Sequence, residues 1–189
     1  MPLGVWPTDD GGVRFGPALA QATQRAIALR FRHPFWETLD GGSYRSGAFF
    51  SGDGAFPTYW TQLPVRAPTL VAWAGGPAAE RLAERSETDL MRVALNGAAE
   101  LFGAPQTVNA AYEAGYVHDW QSDPFARGAY SYVVVDGGDA RSAVARPVDD
   151  VPFFAGEVTA STAEGGKVAG ALESGARAAR DVLGARARC

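Results

Sequence analysis

The chain has 189 residues, 47% hydrophobic and 20% charged, so it can bury a core and lacks the composition of a disordered chain. The net charge is −4 and no block of like charge stands out, which argues against nucleic acid as a partner. The chain has one cysteine, Cys189, and two histidines, His33 and His118, so we expect neither a disulfide framework nor a metal site. No apolar run reaches the roughly 20 residues that span a bilayer, and no signal-peptide pattern is present, so we expect a cytoplasmic protein without a membrane partner.

The first thirty residues predict a strand end, a turn and a helix. Met1–Val5 is a short apolar piece broken by proline and glycine, and residues 8–12 form a turn cluster. Pro17 at a first helical turn favours a helix over 17–29. The apolar residues of that helix are Leu19, Ala22, Ala26, Ile27 and Leu29.

A series of short strands follows. Aromatic or β-branched runs at 46–51, 56–62 and 69–75 are separated by glycine, proline and aspartate, which is typical of an antiparallel meander. The turn G-D-G-A-F-P begins like a dinucleotide-binding fingerprint. However, Pro57 stands in place of the third glycine and no helix follows, so this turn is not a nucleotide site.

Helices are predicted next. Pro77–Ala83 is a short one, and Ser86 is a favoured N-cap for a longer one, with Gly103 suited to the position after its end. The apolar stripe of the longer helix consists of Leu90, Met91, Ala94, Ala98, Leu101 and Phe102. Two further strands are predicted at 108–117 and 129–135, separated by an irregular segment.

The last fifty residues hold the most informative stretch. The apolar run 151–155 predicts a buried strand that Gly156 ends, and Gly165-Gly166 precedes a helix over 167–183. Glycines permit close backbone approach, and a helix N-terminus offers free N–H groups and partial positive charge, so this unit suits an electron-rich ring or a phosphate. The spacing alone is equally that of an ordinary strand–helix packing unit.

Several motifs together resemble the flavin-containing amine oxidases, the family of monoamine oxidase, polyamine oxidase and lysine-specific histone demethylase. They are F-F-A-G-E at 153–157 with G-A-L-E-S-G from 170, W-x-x-D-P-F-A-R-G-A-Y-S-Y at 120–132, L-V-A-W-A-G-G-P-A-A at 70–79, P-F-W at 34–36 and M-P-L-G-V at 1–5. The resemblance implies an α+β fold: a mixed, largely antiparallel substrate-domain sheet with flanking helices, followed by the C-terminal strand and helix of a Rossmann-like FAD domain.

The implied domains are a connecting segment and helix over 1–30, a substrate-binding domain over 31–139, and a C-terminal FAD-binding segment over 140–189. The implied reaction is hydride transfer from a small-molecule amine to non-covalently bound FAD, with hydrolysis of the imine and release of peroxide. Ala129 stands where covalent members of the family carry the cysteine that tethers flavin, so no tether is expected at that position.

The resemblance also assigns roles to individual residues. It places Trp120 and Tyr130 at the active site, and its cofactor-binding residues are Gly156, Glu157, Gly166, Lys167 and Val168. Each role has an alternative that the residues leave open. The two aromatic residues are equally at home in a core, the glutamate in ordering a loop, and the lysine in solvent.

The chain departs from the family pattern in three ways. It has no G-x-G-x-x-G motif to cradle a pyrophosphate, so we expect it to correspond to the C-terminal half of the family. A segment of roughly ten residues with a flavin-contacting lysine is missing between Ala28 and Phe31. Lys167 stands where many members have a second aromatic cage wall, and it would repel a cationic amine.

Two hypotheses follow from these departures. The chain is half of a split or truncated oxidase, active only with a separate N-terminal FAD-binding chain. Alternatively, it is a non-catalytic remnant that acts as an interaction domain and self-associates. The second hypothesis predicts an exposed apolar patch on the final helix and at 151–155. In either case we expect the isolated chain to bind FAD weakly and not to oxidise amines.

Overall fold

The computed structural model describes residues 6–7, 13–14, 19–126, 128–148, 151–161 and 163–187. The chain divides into two compact units, one formed by Thr23–Gly128 and the other by Met1–Ala22 together with Ala129–Cys189. The domain boundaries predicted at 30 and 139 stay predictions. The segment Met1–Val5, with its predicted strand end and motif, lies outside the described residues.

A five-stranded antiparallel sheet forms the centre of the unit 23–128. Its strands are β4 (Gln24–Phe31), β5 (Phe49–Ser51), β6 (Thr58–Trp60), β7 (Thr69–Gly75) and β8 (Tyr112–Val117). Their spatial order is β5-β6-β7-β4-β8, so β7 and β4 are flanked by strands on both sides. The prediction for β7 is confirmed with the same bounds, while β5 and β6 are shorter than predicted.

The core of this unit lies on one face of the sheet. Residues at alternate positions of β4 and β7, such as Ile27, Leu29 and Leu70, are fully buried, which is the period-2 pattern of a half-covered strand. Tyr59 of β6 donates its hydroxyl to the carbonyl of Ala94 on the covering helix at 2.9 Å. Edge-to-face aromatic rings extend this core, and they belong to Phe31, Phe35, Trp36, Tyr44, Phe50, Phe102 and Tyr112.

Three helices complete the unit: α1 (Pro77–Glu80), α2 (Glu87–Leu101) and α3 (Pro105–Ala111). The predicted cap of α2 is confirmed, because the Ser86 hydroxyl accepts a hydrogen bond from Asp89 N at 3.2 Å. Gly103 has φ +60° just beyond the helix, a conformation that glycine adopts at low cost. Two 3₁₀ helices, Phe35–Glu37 and Leu39–Gly42, lie between β4 and β5.

The other unit contains small sheets and the last two helices. Its strands are β1 (Trp6–Pro7), β2 (Val13–Arg14), β3 (Leu19–Gln21) and β9 (Ser131–Val133), where β1 pairs with β2 and β3 with β9, both antiparallel. Its helices are α4 (Ala140–Ala145), a 3₁₀ helix Glu157–Thr159 and α5 (Val168–Arg186). The buried face of α5 consists of Gly170, Ser174, Ala178 and Ala185, whose small side chains permit close packing.

Three predicted elements are wrong. Within 17–29 the structure has strands from Leu19 onward and no helix, because Arg25, Ile27, Leu29 and Phe31 alternate with more exposed residues and β4 gains partners on both sides. Leu19, Ala22, Ala26 and Ile27 have the i, i+3, i+7, i+8 spacing of a helical stripe, which accounts for the wrong prediction. The predicted strand 108–117 is instead the end of α3 followed by β8.

The predicted strand 151–155 is also wrong. These residues form no strand, and Val151 is 78% exposed. Pro152 has no N–H to donate to a sheet, and the Phe154 carbonyl accepts a hydrogen bond from Arg177 instead of from a neighbouring strand. The α+β class with antiparallel sheets and flanking helices is nevertheless confirmed. Within the described ranges, no helix is both long and apolar enough to cross a membrane.

Candidate functional site

Four of the predicted site residues meet in front of α5. The Glu157 carboxylate accepts a hydrogen bond from Gly166 N at 2.7 Å, which ties the 3₁₀ helix to the residue two positions before α5. Gly166 has φ +75° and lies against the Tyr130 ring, since a Cβ built there would be 3.6 Å from a ring carbon. Lys167 is the N-cap of α5. The structure thus brings Tyr130, Glu157, Gly166 and Lys167 together.

The Glu157 carboxylate is occupied by groups of the protein itself. Besides Gly166, it accepts hydrogen bonds from the backbone N–H and the hydroxyl of Ser131, each at 2.9 Å. The Arg141 guanidinium lies 3.5 Å from the same carboxylate. This geometry favours the loop-ordering alternative for Glu157 over direct contact with a ligand through its carboxylate.

Gly156 is held against the middle of α5. Its N–H donates to the Ser174 hydroxyl at 2.9 Å, and its φ of +128° is strained for any residue with a side chain. Among the described residues no side chain caps the N-terminus of α5, so these residues leave its first N–H groups without a side-chain acceptor. Val168 in this first turn is 80% exposed.

The ammonium group of Lys167 binds to the loop that precedes α5. Its Nζ donates to the Ala163 carbonyl at 2.8 Å and lies 3.4 Å from Glu164 Oε1. The side chain is 57% exposed, so the positive charge is partly neutralised by Glu164 and partly solvated. The solvated alternative for Lys167 therefore agrees with its surroundings.

A cavity of about 300 Å³ adjoins this cluster within the same unit. Gly156 and Glu157 form part of its wall. The remaining lining residues are Leu19, Ala20, Gln21, Ser131 and Val158. A mostly apolar concavity with few polar groups is typical of sites that bind a flat organic ligand.

Trp120 belongs to the unit 23–128, where it lies in a turn held by two aspartates. Asp119 accepts hydrogen bonds from the buried Arg25 guanidinium at 2.7 and 3.2 Å. Asp123 faces His118 at 3.1 Å, and the His118 ring packs edge-on against Trp120, with 4.3 Å between centroids. Trp120 is 49% exposed, so it is not a core aromatic residue.

The pKa values of both aspartates are lowered. Burial raises the pKa of Asp119, but the Ser122 hydroxyl, the Arg25 guanidinium and backbone N–H groups together bring it below the ordinary 3.8. The backbone N–H groups of Phe125 and Ala126 lower the pKa of Asp123. Both carboxylates are therefore ionised at neutral pH and hold the turn that carries Trp120.

An aromatic row on the sheet face opposite α2 was not predicted from the sequence. Five directly paired residues cross all five strands of the unit 23–128: Phe49, Trp60, Val71, Ala28 and Tyr116. The two end residues are 71% and 56% exposed. The period-2 alternation of β4 is the signal that predicts this face, and the helical interpretation of 17–29 concealed it.

Comparison with known proteins decides the family. The family model described as flavin containing amine oxidoreductase matches residues 23–183, which is most of the chain. The chain belongs to the flavin-containing amine oxidoreductase family. A solved triple mutant of putrescine oxidase, made to redesign cofactor binding, superposes with a TM-score of 0.70 over 88% of this chain at 21% identity, and it shows the fold of the chain.

The chain spans only a small part of the curated relatives that it matches. Lysine-specific histone demethylase 1 homolog 3 of Arabidopsis thaliana is 32% identical over 83% of this chain and 10% of its own length. Lysine-specific histone demethylase 2 of Homo sapiens is 25% identical over 79% of this chain and 20% of its own length. The chain also spans 36% of the matched putrescine oxidase chain, so it corresponds to a minor part of these proteins.

The family's flavin fits one side of this candidate site. The N-terminus of α5 suits the electron-rich edge of the ring, and Gly166 keeps the loop before it in contact with Tyr130. The sequence contains no G-x-G-x-x-G, the usual cradle for the pyrophosphate. The residues present therefore fit contact with the ring but do not complete an FAD site.

Proposed function

We propose that the chain supplies the flavin-edge segment and an aromatic substrate wall of an FAD-dependent amine oxidase. The observation that supports this most is the meeting of Tyr130, Gly166 and the uncapped N-terminus of α5 within one unit of a flavin amine oxidoreductase. FAD, when bound without a covalent link, supplies acceptance of hydride from the carbon beside the amine.

The chain's own residues then have four tasks. The first N–H groups of α5, at Val168 and its neighbours, stabilise negative charge at the ring edge. Gly156 and Gly166 permit close approach of the backbone. Tyr130 offers an aromatic face to the amine, and the active-site role that the resemblance gives to Trp120 stays a prediction. Lys167 would oppose a second positive charge, which favours amines that arrive neutral.

We propose a separate polypeptide with a dinucleotide-binding motif as the partner that completes the site. Its contact surface on this chain would be the exposed stripe of α5, in which Val168, Leu172 and Leu183 are 80%, 73% and 66% exposed. Exposed apolar side chains at helical spacing typically mark a protein–protein contact. The exposed patch expected on the final helix is thus present in the structure.

The experiment is to mix the full chain with a G-x-G-x-x-G-containing N-terminal segment of a flavin amine oxidase and excess FAD, followed by gel filtration. Coelution of flavin absorbance with both polypeptides, and peroxide on addition of an amine panel, supports the proposal. A colourless complex at saturating FAD contradicts it. The matched control is Arg186→Ala, a change near the end of α5 that leaves the apolar stripe intact.

The second candidate is a non-catalytic interaction domain that self-associates. The same exposed stripe favours it, together with Val151, which is 78% exposed. This candidate predicts a dimer or larger assembly of the chain alone, which light scattering detects, and loss of that assembly in Leu172→Glu. A monomer at high protein concentration would speak against it.

A further inference from the structure

A buried arginine lies behind the cofactor residues, and neither the sequence analysis nor the family resemblance assigns it a role. Arg141 is in α4 and its side chain is only 7% exposed. Its Nη1 donates to the Glu157 carbonyl at 2.9 Å, and its Nη2 donates to the Ser131 carbonyl at 2.8 Å. One guanidinium therefore joins α4, β9 and the 3₁₀ helix. A fork of fixed donors makes arginine suited to such a bridge.

Arg141 also constrains the loop that leads into α5. A Cβ at Gly165 would overlap the guanidinium, so the backbone passes directly over it. The next residue, Gly166, donates its N–H to the Glu157 carboxylate. The guanidinium thus supports this loop twice, by direct packing under Gly165 and through Glu157 to Gly166.

The charge of Arg141 has a further consequence. Without a counter-ion, the negative charge of Glu157 near the start of α5 would offset the positive end of the helix dipole. That end would then stabilise negative charge on a ligand less well. The guanidinium, 3.5 Å from that carboxylate, balances its charge. The Glu157 side chain is 28% exposed, and one cation and three hydrogen-bond donors compensate its carboxylate for the water it has lost.

We propose that Arg141 is a positioning residue of the cofactor site, which acts through Glu157 and the Gly165–Gly166 loop to hold the N-terminus of α5 in its ligand-accepting arrangement. The cofactor part of this inference rests on the function proposed above. The arrangement itself does not, since it is a property of the chain before any ligand binds.

The first measurement is amide hydrogen exchange of the full chain without flavin. In Arg141→Met, residues 163–171 should exchange roughly tenfold faster or more, the change expected from weakening one charge-assisted hydrogen bond. Arg141→Lys should recover part of the protection, because it keeps the charge but not the fork. The matched control is Arg146→Met, an exposed arginine just after the same helix. Equal exchange in Arg141→Met and the control would overturn the proposal.

A second pair of variants covers the case in which Arg141→Met fails to fold. Ser131→Ala removes one donor to Glu157, and Glu157→Gln replaces an acceptor oxygen by a donor that conflicts with Ser131 or Gly166. Both should speed exchange at Gly166 and leave the unit Thr23–Gly128 unchanged. Unchanged exchange at Gly166 in both variants would equally overturn the proposal.

The last measurement separates this inference from the proposed function. Flavin retention is compared for Arg141→Lys, Arg141→Met and Arg146→Met in the two-polypeptide mixture described above. Retention that falls in Arg141→Met and recovers in Arg141→Lys supports the positioning role. Faster exchange with unaltered retention would remove the cofactor role, and absence of flavin from the unchanged chain would remove the proposed function while the ordering of the loop stands.

Discussion

The packing of α5 can be tested with two glycines of the same helix that have opposite surroundings. Gly170 lies on the buried face, where an added Cβ would overlap the Glu164 carbonyl and lie 2.8 Å from the Ala160 methyl. Gly175 has nothing within 4 Å of the same position. The Glu164 carbonyl cannot yield easily, because the loop around it is held by hydrogen bonds from Glu164 N and Gly165 N to the Ser161 carbonyl.

Both substitutions gain the helix propensity of alanine, about 0.5–1 kcal/mol. Gly175→Ala should therefore stabilise the chain by about that amount. Gly170→Ala also incurs an overpacking cost of about 1–3 kcal/mol, so its net effect lies between no change and a loss of about 2.5 kcal/mol. The two variants should differ by about 1–3 kcal/mol in the free energy of unfolding.

Urea unfolding followed by far-UV circular dichroism measures this difference. A thermal scan should show the same order, with a gap of roughly 2–4 °C for each kcal/mol in a chain of this size. If Gly170→Ala proved as stable as Gly175→Ala, the close contact between the start of α5 and the 160–165 loop would be wrong. The geometry deduced for the candidate site would then be wrong as well.

Three other predictions concern separate parts of the chain. Ser86→Ala removes the hydrogen bond that Asp89 N donates to the cap of α2 and should cost about 1 kcal/mol in urea unfolding. Folding lowers the pKa of Asp119, so the stability that its carboxylate contributes is present above the ordinary 3.8 and is lost as the pH falls below that value. Subtracting the fluorescence of Trp120→Phe gives the emission of Trp120, which should change in that pH range. Asp119→Asn should remove the change. Leu172→Glu places a charge on the exposed stripe of α5 and should abolish any association with a partner or a second copy, whereas unchanged association in gel filtration would exclude this stripe as the contact.

Elements with strong local signals were predicted correctly from the sequence. Ser86 and Gly103 delimit α2 because capping is a matter of a few neighbouring residues. Elements that depend on distant partners were not. Leu19, Ala22, Ala26 and Ile27 fit a helical stripe, and only pairing with β7 and β8 selects the strand for β4. The run 151–155 is apolar enough for a strand but finds no partner among the described residues.

The candidate site shows the same division. The motifs identified the residues that meet before α5, since a family resemblance carries positions that no local physical signal shows. The motifs could not predict that the Glu157 carboxylate accepts hydrogen bonds from Ser131 and Gly166 and pairs with Arg141. These partners come from different parts of the chain, so only tertiary packing brings them to Glu157. The aromatic row from Phe49 to Tyr116 was missed because it requires the strand register.

Flavin binding by the assembled site directly tests the proposal that this chain supplies one side of an FAD site. The full chain is mixed with a G-x-G-x-x-G-bearing N-terminal segment and FAD, and flavin absorbance is recorded on the complex after gel filtration. The complex of the unchanged chain should retain flavin. Leu172→Glu should prevent assembly and so abolish retention, and Gly166→Val should reduce retention because its side chain crowds Tyr130. A stable complex of both polypeptides that remains colourless at saturating FAD would contradict it.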